Sequence, residues 1–185
     1  MNNKKYEEVT IHTEPVFQGK VISLQVDRVR LPNGETATRE LVKHPGAVAV
    51  LAVKDGKIVL VEQYRKPLGR SQVEIPAGKL EPGEDPLEAA KRELEEETGY
   101  TCGSIRLLGS FATSPGFADE IIYLYVAEQL KAGNSNPDED EFLDALELTY
   151  EEAVRFIAEG RIGDAKTIIA IQAWRLHQLT GTYEL

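Results

Sequence analysis

The chain of 185 residues contains one cysteine, Cys102. No disulfide can form within it, so an apolar core has to hold the fold and a free thiol is expected. Long hydrophobic runs are also missing. The longest, Ala47 to Val53, falls far short of the ~20 residues a membrane-spanning helix needs. Met1-Asn2-Asn3-Lys4-Lys5-Tyr6 leads into no apolar stretch of the kind that directs export. Positive charge is scarce, with 21 Lys and Arg against 31 Asp and Glu and a net charge of −10. That balance excludes a nucleic-acid backbone or an anionic membrane as a general partner. The expectation is a soluble, cytoplasmic protein. His12, His44 and His177 show no metal-ligand spacing, and no repeat or low-complexity linker is present.

What is present is an ordinary globular composition, 42% hydrophobic, with room for one good core and a smaller appended unit. Val9-Thr10-Ile11, Lys20 to Leu31 and Glu35 to Val42 read as strands, the last two joined by a Pro32-Asn33-Gly34 turn. Such a sheet has little core of its own and needs a surface to pack on, a second subunit being one candidate. Residues 1–45 are taken as this β unit and 46–185 as the main domain. Ala47 to Val53 and Lys57 to Tyr64 read as a hairpin about Asp55-Gly56, the first strand apolar enough for burial on both faces. Gln72 to Ile75, Ser104 to Ala112, Ile121 to Ala127 and Leu143 to Leu148 read as further strands. Thr149 with Glu152 caps a helix stopped by Gly160, and Asp164 opens a final helix ended by Gly181, with Trp174 on its core side. Strands with helices between and after them indicate an α/β (α+β) domain layered α-β-α.

One stretch carries chemistry. From Gly78 to Tyr100 the sequence runs G-x5-E-x7-R-E-L-x-E-E-x-G-Y. Asp85 is a good N-cap, Pro86 suits the first helical position, Glu88 stands where a capping box wants an acid, and Gly99 supplies the stop. Leu87, Ala90 and Leu94 form an apolar stripe. Four carboxylates crowd into Glu93 to Glu97. Glu93, Glu96 and Glu97 share one helix face, and Arg92 and Lys91 each lie four residues before an acid. A solvated acidic surface explains many such runs. Here the acids sit at the helix C-terminus, where the dipole opposes them, and solubility alone explains neither the fixed glycines nor Glu84. A divalent cation on oxygen ligands does.

This segment resembles the signature of the Nudix hydrolases, G-x5-E-x7-R-E-U-x-E-E-x-G-U with U a bulky apolar residue. Every fixed position matches, and Tyr100 is the one soft departure. The resemblance implies the Nudix sandwich, a mixed sheet between helices, with Mg2+ or Mn2+ bound against a diphosphate. It implies Glu93 and Glu97 as principal metal ligands, Glu96 directly or through water, and the carbonyl of Ala77 as a further oxygen.

The rest of the chain resembles the bacterial ADP-ribose pyrophosphatase subgroup. Pro115, within Ser114-Pro115-Gly116-Phe117-Ala118-Asp119-Glu120, stands sixteen residues after Gly99, and Gln63-Tyr64-Arg65-Lys66-Pro67 and Glu74-Ile75-Pro76-Ala77-Gly78 agree as well. The resemblance implies hydrolysis of ADP-ribose to AMP and ribose 5-phosphate by an activated water, and a base from a late loop. Glu141 is the first choice in the acidic run 138–141 and Glu139 the second. Arg65 is the candidate phosphate grip, Glu120 a contact to ribose or adenine, and Arg39 a residue reaching a partner's pocket. Phe17, Tyr64 and Phe117 are unranked adenine-stacking candidates. The resemblance further implies a homodimer that exchanges its N-terminal strands. The rival readings are a Nudix enzyme for another nucleoside diphosphate sugar and a non-catalytic sensor on the same fold.

Overall fold

The computed structural model describes residues 4–136 and 142–185, which form two compact units. The first comprises the residues up to Gly46 together with Ala112–Ile121, the second Ala47–Phe111 and Ile122–Leu185.

The first unit is an antiparallel sheet in the order β1 (Val9–Gln18), β2 (Ser23–Arg30), β3 (Thr36–Lys43). β1 is much longer than the Val9–Ile11 strand the composition suggests. As the edge strand it tolerates Pro15, which has no N–H to donate. Two register shifts, between Thr10 and His12 and between Pro15 and Phe17, break the regular alternation on which a sequence reading depends. Every residue of β1 is exposed. Asp27 of β2, 5% exposed, fastens the strands by accepting from Thr10 (3.0 Å), Thr13 (2.8 Å) and Gln25 (2.9 Å). The Thr13 hydroxyl leads the donors that hold its carboxyl below the usual range, against the opposing effect of burial. Residues 112–121 join this unit through bonds from Val42 N to Phe117 O (2.8 Å) and from Asp119 N to Val42 O (3.2 Å). No local signal ties that return segment to the N-terminal strands.

The second unit is built on a seven-stranded mixed sheet. Its strands are β4 (Ala47–Lys54), β5 (Lys57–Arg65), β6 (Arg70–Glu74), β7 (Ala77–Lys79), β8 (Tyr100–Ala112), β9 (Ile121–Ala132) and β10 (Leu143–Leu148). The main order is β10-β5-β4-β9-β8, with β6 on β5 and β7 on β4. β4 and β5 leave the Asp55-Gly56 turn as the expected hairpin but pair only from Ala52 to Lys54. Beyond that they diverge, β6 taking Val61 to Arg65 and β7 taking Ala47 to Ala49. β4 also runs parallel to β9. A central parallel strand is buried on both faces, and its side chains alternate between two cores. Ala49 and Leu51 join one side, Val48, Val50 and Ala52 the other.

The first core is closed by α2 (Tyr150–Ala158) and α3 (Ala165–Thr180), with Ala153, Phe156, Ile171 and Trp174 buried in it. The second is closed by α1 (Pro86–Thr98) through Ala89, Ala90 and Leu94. Layers of helix, sheet and helix are therefore present, as expected. Leu94 is fully buried, so truncating it to alanine should cost about 2–5 kcal/mol. Its stripe holds α1 in place and leaves the acidic face directed elsewhere.

Candidate active site

α1 starts and stops as its sequence dictates. Asp85 accepts from the N–H groups of Leu87 (2.9 Å) and Glu88 (3.3 Å), and Gly99 closes the helix in the left-handed conformation at φ 72°. Glu88 does not reach back to form a capping box; it pairs with Lys91 at 2.7 Å instead. The loop before the helix turns at Gly83, φ 81°. Glu84 steadies that loop by accepting from Glu81 N at 3.0 Å.

The acids are organised by one arginine. Arg92 donates to Glu84 from Nε (2.9 Å) and Nη2 (3.1 Å), and from Nη1 to Glu93 (2.8 Å) and Glu96 (2.9 Å). Its hydrogen bonding to Glu84 heads the causes that raise the guanidinium pKa further, and Arg92 in turn holds the Glu84 carboxyl below its usual range. Glu97, 1% exposed, accepts from Ala77 N at 3.0 Å. Glu93, 7% exposed, lies directly over Gly78, where a Cβ would stand 1.9 Å from its Oε1. The short β7 and the last turns of α1 thus bring Ala77, Glu93, Glu96 and Glu97 together.

The donor chemistry of these residues suits a divalent cation. The donors are hard oxygens, two of the carboxylates are buried, and a single positive nitrogen already lies within hydrogen-bond reach of both Glu93 and Glu96. Among the described residues no three acidic, histidine or cysteine side chains converge on one metal position. Arg92 supplies the counter-charge at this face.

Arg65 ends β5. Its Nε and Nη2 form a fork on Glu74 at 2.8 and 2.7 Å. That hydrogen bonding, with smaller contributions from the charges of Glu74, Glu97 and Asp164, raises its pKa against the effect of burial. Lys166 of α3 also donates to Glu74. Burial pushes the Glu74 carboxyl up, but Arg65 and Lys166 outweigh it and bring the pKa down to about 2. Glu74 and Lys166 were not legible as site residues. Glu74 falls in a recognisable segment, whereas Lys166 lies 92 residues further on with no local signal.

The remaining candidates have surroundings of their own or fall outside the described residues. Arg39 pairs with Glu8 (2.6 Å), and Glu120 accepts from Thr113 Oγ1 (2.6 Å) and sits 3.5 Å from His44 Nδ1. All these residues belong to the first unit. Phe17, Tyr64 and Phe117 are all more than half exposed. Glu139 and Glu141 lie outside the described residues. Trp174 is core, 2% exposed, and burial raises the pKa of the Cys102 thiol.

Residues 42–170 match the NUDIX domain family, and residues 8–42 match the nucleoside diphosphate sugar hydrolase N-terminal domain. The chain belongs to the Nudix family. It is 61% identical over 178 residues to the "methanol dehydrogenase activator" of Bacillus methanolicus, covering 95% of this chain and 96% of that one. It is 54% identical over 178 residues to the ADP-ribose pyrophosphatase of Bacillus subtilis (strain 168), with the same coverage. A solved structure titled as an ADP compounds hydrolase superposes with a TM-score of 0.82, covering 95% of each chain; at 20% identity it shows the Nudix fold alone. This chain is a Nudix hydrolase, of a family that works with a divalent cation. Among the described residues no helix is long and apolar enough to cross a membrane.

Proposed function

We infer that this Nudix enzyme hydrolyses the diphosphate of ADP-ribose to AMP and ribose 5-phosphate with Mg2+, Mn2+ being able to replace it. One observation carries the reading: the signature carboxylates are intact and gathered on one face in a chain 54% identical to an ADP-ribose pyrophosphatase. Glu93, Glu96, Glu97 and the Ala77 carbonyl would hold the ion, which when bound neutralises charge on the diphosphate oxygens. Glu141, with Glu139 as second choice, takes the proton of the attacking water. Arg65 binds a phosphate oxygen. Glu120 contacts ribose or adenine, and Arg39 serves a partner subunit's pocket.

The N-terminal unit, residues 1–45, is proposed to form a homodimer by strand exchange. The wholly exposed β1, with Val9, Ile11, Val16 and Phe17 between 43% and 55% exposed, supports a partner on that strand. A nucleotide substrate and the free thiol of Cys102 support a cytoplasmic location.

Product analysis in 18O-labelled water tests the substrate. ADP-ribose should give AMP and ribose 5-phosphate with label in one product. Weak turnover beside fast hydrolysis of another nucleoside diphosphate sugar would transfer the activity to that substrate, a rival favoured by the match of residues 8–42. A second reading rests on the 61% identical relative, namely that the protein activates a methanol dehydrogenase. Adding wild type and Glu97→Gln to such a dehydrogenase decides it. Activation by wild type alone would make the effect a consequence of hydrolysis.

A further inference from the structure

Glu74, 3% exposed, is a carboxylate on which three donor nitrogens of two cationic side chains meet. Arg65 uses two nitrogens (2.8 and 2.7 Å), and Lys166 supplies the third donor. Lys166 is the second residue of α3, a position where the helix dipole disfavours a cation, and its side chain is only 10% exposed. Solubility does not explain a lysine buried at that end. Its charge is balanced by Glu74 and by Asp164 Oδ1 at 3.0 Å, the same oxygen that caps the helix through Thr167 N. In the same turn Thr167 Oγ1 accepts from Ile75 N at 2.9 Å, which fixes the backbone immediately after Glu74. One turn of α3 therefore fastens both the side chain and the main chain at the end of β6.

Arg65 feels the consequence. The fork on Glu74 uses its Nε–Nη2 edge, so its Nη1 edge is directed away from Glu74, and the side chain is 37% exposed. A long flexible side chain is thereby ordered on folding and not on binding.

We propose that Glu74 and Lys166 are positioning residues that lock the Arg65 guanidinium so that its outer edge meets a phosphate oxygen of the nucleotide. The proposal rests on the reading of Arg65 as a phosphate contact. Its test is a set of cycles measuring KM and kcat for ADP-ribose and Kd for ADP by calorimetry. Glu74→Gln should raise KM and Kd about 10-fold, the scale of one misplaced charged hydrogen bond, and change kcat less than about 2-fold. Lys166→Met should act in the same direction, and Lys166→Arg should restore the wild-type values. In an Arg65→Ala background neither substitution should weaken binding further. Equal weakening in that background makes the cluster merely structural and overturns the proposal, as do unchanged constants in Glu74→Gln beside a weakened Arg65→Ala. If Glu74→Gln does not fold, the Lys166 pair decides. A normal Arg65→Ala overturns the proposal and the phosphate role together. Lack of ADP-ribose turnover removes only the substrate reading, and the ADP Kd then decides.

Discussion

Gly78 and Glu93 occupy one space: a Cβ on residue 78 would stand 1.9 Å from Glu93 Oε1 and 2.0 Å from its Cδ. The glycine is needed for room, to let a carboxylate lie against the strand. Gly78→Ala should cost about 1–3 kcal/mol by overpacking. By displacing Glu93 about 1 Å it should lower kcat about 100-fold. Gly83 offers the contrast, with φ 81° and nothing within 4 Å of its missing Cβ. Gly83→Ala should cost about 1 kcal/mol in backbone strain and leave more activity. Urea unfolding beside steady-state kinetics separates the two; equal activity in both variants would remove the steric argument.

Arg92 holds Glu84, Glu93 and Glu96 together. With 31% of its side chain exposed, solvent screens part of this, and Arg92→Leu should lose roughly 1–3 kcal/mol in metal-free buffer. The uncovered acids should then gain more from a cation than they do in wild type. Thermal melts in chelator and in Mg2+ check this, the expected result being a larger Mg2+-induced rise in Tm for the variant. Equal rises would show that the ion and Arg92 answer different charges.

Glu74 makes stability depend on acid. Its pKa falls from 4.5 to about 2 on folding, so the unfolded chain binds the proton more readily. The stabilisation is complete above the unfolded value of 4.5 and is lost as pH falls through about 2. Its size is roughly 2–4 kcal/mol for a shift of this order at a buried pair. Urea midpoints of wild type and Glu74→Gln should differ most at neutral pH and converge between pH 4.5 and about 2. A gap that persists at the acid end would place the loss in packing.

The order of elements and the acidic face of α1 were legible because their signals are local. Capping residues, the stripe Leu87, Ala90, Leu94 and the fixed glycines mark α1 without any knowledge of the rest. The length of β1 was not legible, since an exposed, irregular edge strand has no apolar alternation to read. Nor was the divergence of β4 from β5, which depends on β6 taking the edge of β5 and β7 the edge of β4 along which the two would otherwise pair. Arg65 was a candidate from the sequence, but Glu74 and Lys166 lie 92 positions apart and no local signal joins them to it.

Glu141 precedes β10 by two residues, and the first residue of β10, Leu143, pairs with Gln63 two residues before Arg65. β10 therefore begins beside the end of β5 that carries the proposed phosphate contact, and Glu141 is the proposed base with Glu139 as second choice. Glu141→Gln keeps the shape and removes the proton acceptor, so kcat should fall about 10²–10⁴-fold. Metal affinity, which is proposed to rest on α1, should stay within about 2-fold by calorimetry. The pH–rate profile should also lose its acid limb, because that limb reports ionisation of the base. Glu139→Gln should retain turnover and profile. If the two variants exchange these behaviours, the base is Glu139; if both keep the acid limb, the base lies within the signature itself.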